Sequence, residues 1–261
     1  MPQDIEDQSP RRLPAKERLT RRWRIFRKEV AEFFQRIGKR EILILGDSHA
    51  AIFARERTRQ LFPGYFLKVV SVSGATASGL KNPNSKTQAY QKFRRAITRT
   101  KAHVAVIMLG EVDTAFVIWY RSKKYGESVA DMLERTVETY TAFLTELGKL
   151  GFKVICISAP LPTIEDGKEW GPIANERREV TATHRERTDL ALAFNLRIKG
   201  FAEQHGIDYL HLDPHALGED RLVKKELVNA DPLDLHYEYE PFIDLLASHV
   251  AEPIKRIATA A

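Results

Sequence analysis

The sequence predicts an α/β fold: a three-layer α/β/α sandwich around a five-stranded parallel sheet. Two observations carry that expectation. Short runs of Val, Ile and Leu with little polar alternation recur along the chain, as strands covered on both faces do. Helix-compatible runs separate them, and strand–helix alternation at this spacing is the pattern of a parallel sheet. A third observation says where function lies. Gly46, Gly74, Gly110 and Pro160 follow the first four strand runs, and ligands of such sheets bind beyond the carboxyl ends of the strands.

The strand runs are Glu41–Leu45, Phe66–Val72, Val104–Leu109, Lys153–Ser158 and Ile207–Leu212. The helix runs are Ala50–Leu61, Lys86–Thr100, Ser128–Leu150, Arg177–His205 and Glu240–Ile257. Long connections remain at Ala159–Asn175 and Asp213–Asp231; loops of that length in a compact domain are usually functional or mobile. Together these make one domain over residues 39–261.

Ahead of it, residues 1–14 read as a disordered lead, with Pro2, Pro10 and Pro14 and no apolar period. Residues 15–38 read as a basic amphipathic helix. Leu19, Trp23, Phe26, Val30, Phe33, Phe34 and Ile37 fall three and four apart on one stripe. Arg18, Arg21, Arg22, Arg24, Arg27 and Lys28 make the remainder strongly basic. The stripe has three fates: packing on the main domain, pairing with another subunit, or lying on a membrane surface. Packing is the commonest and is expected first. The basic face is a weak candidate contact for an anionic membrane or nucleic acid, a solvated face being the commoner outcome. Oligomeric state has no signal in the sequence.

The 43% apolar content supports a large core. One cysteine, Cys156, lies inside an apolar run, so no disulfide forms within the chain and a buried core thiol is expected. No apolar run reaches the ~18–20 residues of a membrane span. The first residues are acidic and polar rather than signal-like, so a cytoplasmic location is expected.

The richest chemistry is in Ile42-Leu43-Ile44-Leu45-Gly46-Asp47-Ser48-His49. A buried strand delivers a serine to a tight turn at a helix start. A hydroxyl there sits at the positive end of the helix among unpaired N–H donors. It is well placed to attack a carbonyl and hold the resulting oxyanion.

Gly46-Asp47-Ser48-His49 resembles block I of the SGNH (GDSL-like) hydrolases, and the resemblance runs through residues 41–256 in order and spacing. It implies the flavodoxin-like SGNH fold and a serine esterase or acyl hydrolase, with acyl transfer a close variant. It further implies no cofactor, no metal, and a small acyl ester substrate, one carried on a carbohydrate being an option. In the family the block I serine is the nucleophile and its N–H helps form the oxyanion hole, which implies Ser48 here. A glycine after the second strand supplies another N–H, and Gly74 matches it. Block III is Gly-x-Asn-Asp. Here it reads Gly110-Glu111-Val112-Asp113, and Val112 cannot donate where asparagine would. Block V is Asp-x-x-His. Here His236 matches the base, but Leu233 stands three before it. Asp234 is the first choice to orient His236, Asp231 the runner-up, and a Ser–His dyad the third option.

Asp47, Glu111 and Asp113 are candidate substrate contacts. Glu111 has two readings, binding a substrate hydroxyl or amine, or pairing with Arg121. Thr76–Asn82 are candidate helpers. His49 is read as a first-turn residue near the site rather than the base. Trp119, Tyr120 and Arg121 are candidates to stack on a sugar ring, with core packing the commoner fate of the first two. His211, Asp213 and His215 would share one face of an extended strand, but lack a fourth ligand for a metal. His184 and His205 are read as solvent-facing. The rival to an enzyme is a non-catalytic carbohydrate- or ligand-binding protein on the same fold, favoured by Val112 and Leu233.

Overall fold

The structure is a computed structural model that describes Trp23 and residues 36–166, 181–231 and 234–261. The chain divides into a unit of residues 1–39 and a unit of residues 40–261. The lead expected over 1–14, and the helix expected over 15–38 apart from Trp23 and residues 36–38, lie outside the described residues. Trp23 and Ile37, both placed on the apolar stripe, are exposed.

The second unit is built on five strands: β1 (Arg40–Gly46), β2 (Tyr65–Ser71), β3 (Val104–Met108), β4 (Lys153–Ile157) and β5 (Asp208–Leu210). They lie in the order β2-β1-β3-β4-β5, and every pairing is parallel. This is the expected sheet, and each strand falls within two residues of its sequence assignment. β1 explains why the assignment was secure: Ile42, Leu43, Ile44 and Leu45 are completely buried. Leu43 and Leu45 face one layer with Phe93, Leu144 and Phe194. Ile42 and Ile44 face the other with Phe53, Leu246 and Ile254. An element apolar on both faces needs cover on both faces.

The first layer holds α2 (Ala89–Ile97), α3 (Ile118–Tyr125), α4 (Val129–Lys149) and α5 (His184–Gln204); α1 (Glu56–Gln60) lies between β1 and β2. The second layer holds a 3-10 helix at Ser48–Ala54, then α7 (Tyr239–Leu246) and α8 (Glu252–Ala260) from the C-terminal part. Between β5 and α7 comes the single turn α6 (Asp213–Ala216). The α4 start is capped by Ser128 accepting the Asp131 N–H, and α5 by a reciprocal Thr183–Glu186 box. No described helix is long and apolar enough to cross a membrane.

Four expectations change in detail. The run Ala50–Leu61 is not one helix. It is the 3-10 helix, a break at Arg55 with extended backbone (ψ 142°), and then α1. The C-terminal helix carries a wider π turn at Ala247–Ala251. Pro253 follows it, and a proline lacks the N–H an α-helix would bond four residues back. Residues 113–125 form a π turn (Asp113–Val117) and α3, unforeseen because Val, Phe, Ile and Trp give the stretch poor helix propensity. Finally, His211–His215 is not extended. β5 ends at Leu210 and Pro214 sits at the start of α6, so alternate side chains do not share a strand face. Instead His211 Nε2 lies 3.2 Å from Asp213, and His215 stacks on His249 with ring centroids 3.5 Å apart.

Cys156 is fully buried as expected, and burial pushes its thiol up to about 12. Its sulfur lies 3.4 Å from the Tyr140 hydroxyl.

Gly46 closes the β1–β3 seam. A Cβ there would lie 2.3 Å from the Met108 carbonyl oxygen and 2.7 Å from the Ala50 Cβ. Gly46→Ala is expected to lower stability by about 1–3 kcal/mol through overpacking against backbone. Urea unfolding checks this, and an unshifted midpoint would show that the seam can open without penalty.

Candidate active site

The sheet reverses its direction of growth between β1 and β3. The chain leaves β1 toward the layer of α7 and α8, and leaves β3 toward the layer of α3 and α4. A crevice opens at such a switch point.

The β1 exit is shaped by Asp47. Its carboxylate accepts the His49 N–H at 2.9 Å and caps the 3-10 helix, while its own N–H meets the Met108 carbonyl at 3.3 Å. From β2, the Ser71 hydroxyl donates to the Asp47 carbonyl at 2.8 Å. Ser48 is thereby the first residue of that helix, and it is partly exposed. The N–H groups of Ser48 and Gly74 have no acceptor among the described residues. Gly74 has φ +69°, a backbone that favours glycine.

The late segment reaches the same place through loop contacts. Val228 and Tyr237 form an isolated bridge, and Glu238 N–H donates to Leu227 at 2.9 Å. After β4, Leu161 N–H donates to the Tyr237 hydroxyl at 2.7 Å, and the Thr163 hydroxyl donates to the Leu235 carbonyl at 2.9 Å. His236 is gripped between these ties. Asp234 accepts both the His236 ring Nδ1–H, at 2.5 Å, and the His236 backbone N–H, at 3.0 Å. Asn229 Nδ2 donates to the other Asp234 oxygen at 3.3 Å. Burial alone would raise the Asp234 carboxyl. The bonds from His236, with the charges of His236 and His49, outweigh it and hold the group below its usual value. Of the two acids weighed from the sequence, Asp234 is the one on the ring; Leu233 lies outside the described residues.

Ser48 and His236 line one cleft of about 320 Å³, together with His49, Arg55, Ser73, Tyr237, Tyr239 and others. Groups far apart in sequence therefore meet at the sheet's rim. No hydrogen bond joins Ser48 Oγ to the imidazole; in unliganded sites such bonds are often long. The His49 ring packs 4.8 Å from that of His236 and is almost wholly buried. Its ring nitrogens make no well-formed hydrogen bond, and the nearest carboxylate oxygen, of Asp47, is 3.4 Å from Nδ1. Burial lowers the His49 pKa. Asp47, the Glu111 charge and the Leu235 carbonyl more than offset that, leaving it raised. His49 thus packs against His236 on the same cleft lining.

The three expected substrate contacts are corrected. Asp47 and Asp113 are completely buried and Glu111 nearly so, and none lines the cleft. Asp47 caps the helix. Asp113 accepts the N–H of Ala77 at 2.6 Å and of Ser78 at 3.1 Å, fastening the loop that carries Gly74 to the end of β3. Part of the expected helper segment Thr76–Asn82 is thus committed to Asp113. Glu111 acts on His49, Arg187 and Tyr237, while Arg121 acts on Asp113. His184 is buried rather than solvent-facing, with Nε2 2.8 Å from the Pro162 carbonyl, because α5 starts beneath the 159–166 segment. His205 is exposed as expected. The sequence reading missed Arg55, Tyr237 and Tyr239. Tyr237 adjoins His236, which was its one available signal. Among the described residues no group of three or more His, Cys, Asp and Glu is arranged to hold a metal.

The fold and the cleft bear comparison with solved structures. A GDSL-like lipase from Bacteroides thetaiotaomicron is similar at TM-score 0.58 and 17% identity, over 83% of this chain and 88% of that one. The fold is the SGNH one. The carbohydrate acetylesterase Est24 of Sinorhizobium meliloti is similar to this chain at TM-score 0.52 and 15% identity, over 84% of this chain and 100% of its own. An acetyl xylan esterase, AlAXEase, is similar at TM-score 0.50 and 14% identity, over 80% and 98%. No family model and no curated protein matches the sequence.

Asp113 generates a pH prediction. Burial pushes its carboxyl up to about 6 from the usual 3.8, against the pull of its two N–H bonds and Arg121. The folded state therefore holds a proton that the unfolded chain releases between pH ~4 and ~6, so this group destabilises the fold as pH rises through that window. The effect is on the order of 3 kcal/mol at pH 7. Asp113→Asn removes the titration. Urea unfolding at pH 4, 5, 6 and 7 should show stability rising more steeply, or falling less, in Asp113→Asn than in the parent. Parallel curves would mean the buried carboxyl titrates normally.

Proposed function

We propose that the protein is a serine ester hydrolase. The observation that carries this is the His236–Asp234 hydrogen bond in a cleft shared with Ser48 at the β1–β3 switch point. In this reading Ser48 Oγ attacks the ester carbonyl while His236 takes its proton through Nε2, the nitrogen Asp234 leaves free. Asp234 fixes the tautomer and stabilises the imidazolium. The N–H groups of Ser48 and Gly74 hold the oxyanion. His236 then gives the proton to the leaving alcohol, and the acyl group stays on Ser48. Water, activated by His236, releases the acid and restores the serine; an acceptor alcohol at that step would make the reaction a transfer.

The proposed substrate is a small acyl ester, with a carbohydrate as the alcohol. Est24 and AlAXEase, both sugar-ester enzymes by name, support that choice. Val112 leaves the oxyanion without a side-chain donor from block III. A lost donor of this kind costs about 2.7–4 kcal/mol of transition-state stabilisation, so turnover is expected to be slow for a serine esterase. The same valine favours the second reading, a binding protein that keeps the cleft and does no chemistry.

4-Nitrophenyl acetate turnover and labelling by a fluorophosphonate probe decide between them. Ser48→Ala should abolish labelling and catalysed turnover. Asp234→Asn should keep the fold but cut kcat by about 10²–10⁴-fold, through the wrong imidazole tautomer. Labelling and turnover that survive in Ser48→Ala would defeat the nucleophile assignment. No labelling of the parent chain would favour the binding protein.

A further inference from the structure

The cleft lining that includes Ser48 and His236 also includes Arg55, Tyr239 and Phe242. Arg55 lies at the break between the 3-10 helix and α1 and is exposed. Its guanidinium carbon sits 3.9 Å from the centre of the Tyr239 ring. The guanidinium thus makes a cation–π contact with that ring, and its N–H donors suit bidentate pairing with a carboxylate. No carboxylate of the described residues lies within ion-pair distance of Arg55, and it makes no side-chain hydrogen bond among them.

The neighbouring acids are engaged elsewhere. Arg57, two residues on, pairs with Glu240 and lies 3.5 Å from Asp244. The cleft lining includes no Asp or Glu, and Arg55 is its one permanently charged residue among those described. Ser73, also on the lining, is exposed and its hydroxyl has no partner among the described residues. A small cleft with one permanently charged guanidinium seated on an aromatic ring, and no acid on its lining, is suited to a carboxylate.

We propose that the ester taken by this cleft carries a carboxylate remote from its scissile carbonyl, and that Arg55 binds it. This rests on the ester-hydrolase reading for the ester and on Arg55 and Tyr239 alone for the carboxylate. Ser48 opens the 3-10 helix and Arg55 follows its last residue. At about 2.0 Å per residue their backbones are roughly 14 Å apart along the axis, and the arginine side chain closes part of that span. The carboxylate is therefore several bonds from the ester. Two sources share this chemistry: the ring carboxylate of an acylated acidic sugar, and the far end of a dicarboxylic acyl chain.

Two matched substrate pairs test it on the full chain. One is O-acetylated methyl glucuronoside against O-acetylated methyl glucoside. The other is 4-nitrophenyl hydrogen suberate against its methyl ester. The anionic member of one pair should be favoured at least tenfold in kcat/KM at low salt, mostly through KM, and added NaCl should shrink the preference. Arg55→Gln should bring the ratio close to one, with Arg55→Lys between. A preference in the first pair places the carboxylate on the alcohol, and one in the second places it on the acyl group. Ratios near one in both pairs, or a preference that Arg55→Gln leaves intact, would overturn the proposal. If nothing is turned over and Ser48 is not labelled, the hydrolase reading fails, and calorimetric titration with methyl glucuronoside, methyl glucoside and suberate still decides. Anion-selective binding lost in Arg55→Gln sustains the carboxylate site; equal or absent binding of all three removes it.

Discussion

Two adjacent parallel strands send their chains to opposite layers, and the candidate site lies where they part. β1 exits under α7 and α8, β3 exits under α3 and α4, and the backbone at their carboxyl ends parts. β3 is buried throughout and β1 through Ile42–Gly46, so an opening between them forms where the chains part at their carboxyl ends. Ser48 stands at that gap because β1 ends there, and Asp47 turns the chain into a 3-10 helix on the spot.

The gap is then furnished by buried polar groups, which are expensive unless satisfied. Asp113 ties the Gly74 loop through two N–H bonds, although burial raises its carboxyl. The Tyr237 hydroxyl and the Leu235 carbonyl tie the histidine loop to the exit of β4. One Asp47 oxygen and both His49 ring nitrogens stay without a well-formed partner. Such local tension is common where a fold holds reactive groups in place. The fold's stability comes from the two apolar layers, and the polar ties act on position.

Much of this architecture was legible in one dimension. Runs such as Ile42–Leu45 and Val104–Met108 are apolar without alternation, and only a doubly covered strand satisfies that. The turn glycines marked the strand ends, and the spacing against a known pattern singled out Ser48 and His236, which share one cleft. Asp234 was preferred over Asp231, and it is the acid on the imidazole. The misses share a cause. Asp47, Glu111 and Asp113 looked available because charge usually means solvent, yet here each is enclosed by packing. Arg55 and Tyr239 carried no signal at all, being separated by most of the chain.

The sequence by itself therefore determined the strands, the layers and the chemical types at the sheet's rim. Those follow from local periodicity, which a strand or helix must obey wherever it lies. The tertiary structure alone decided which acid meets His236, that His49 packs against it, and that Arg55 lies over the Tyr239 ring. These contacts join distant segments, and their partners are chosen by how the layers stack and the loops fold back.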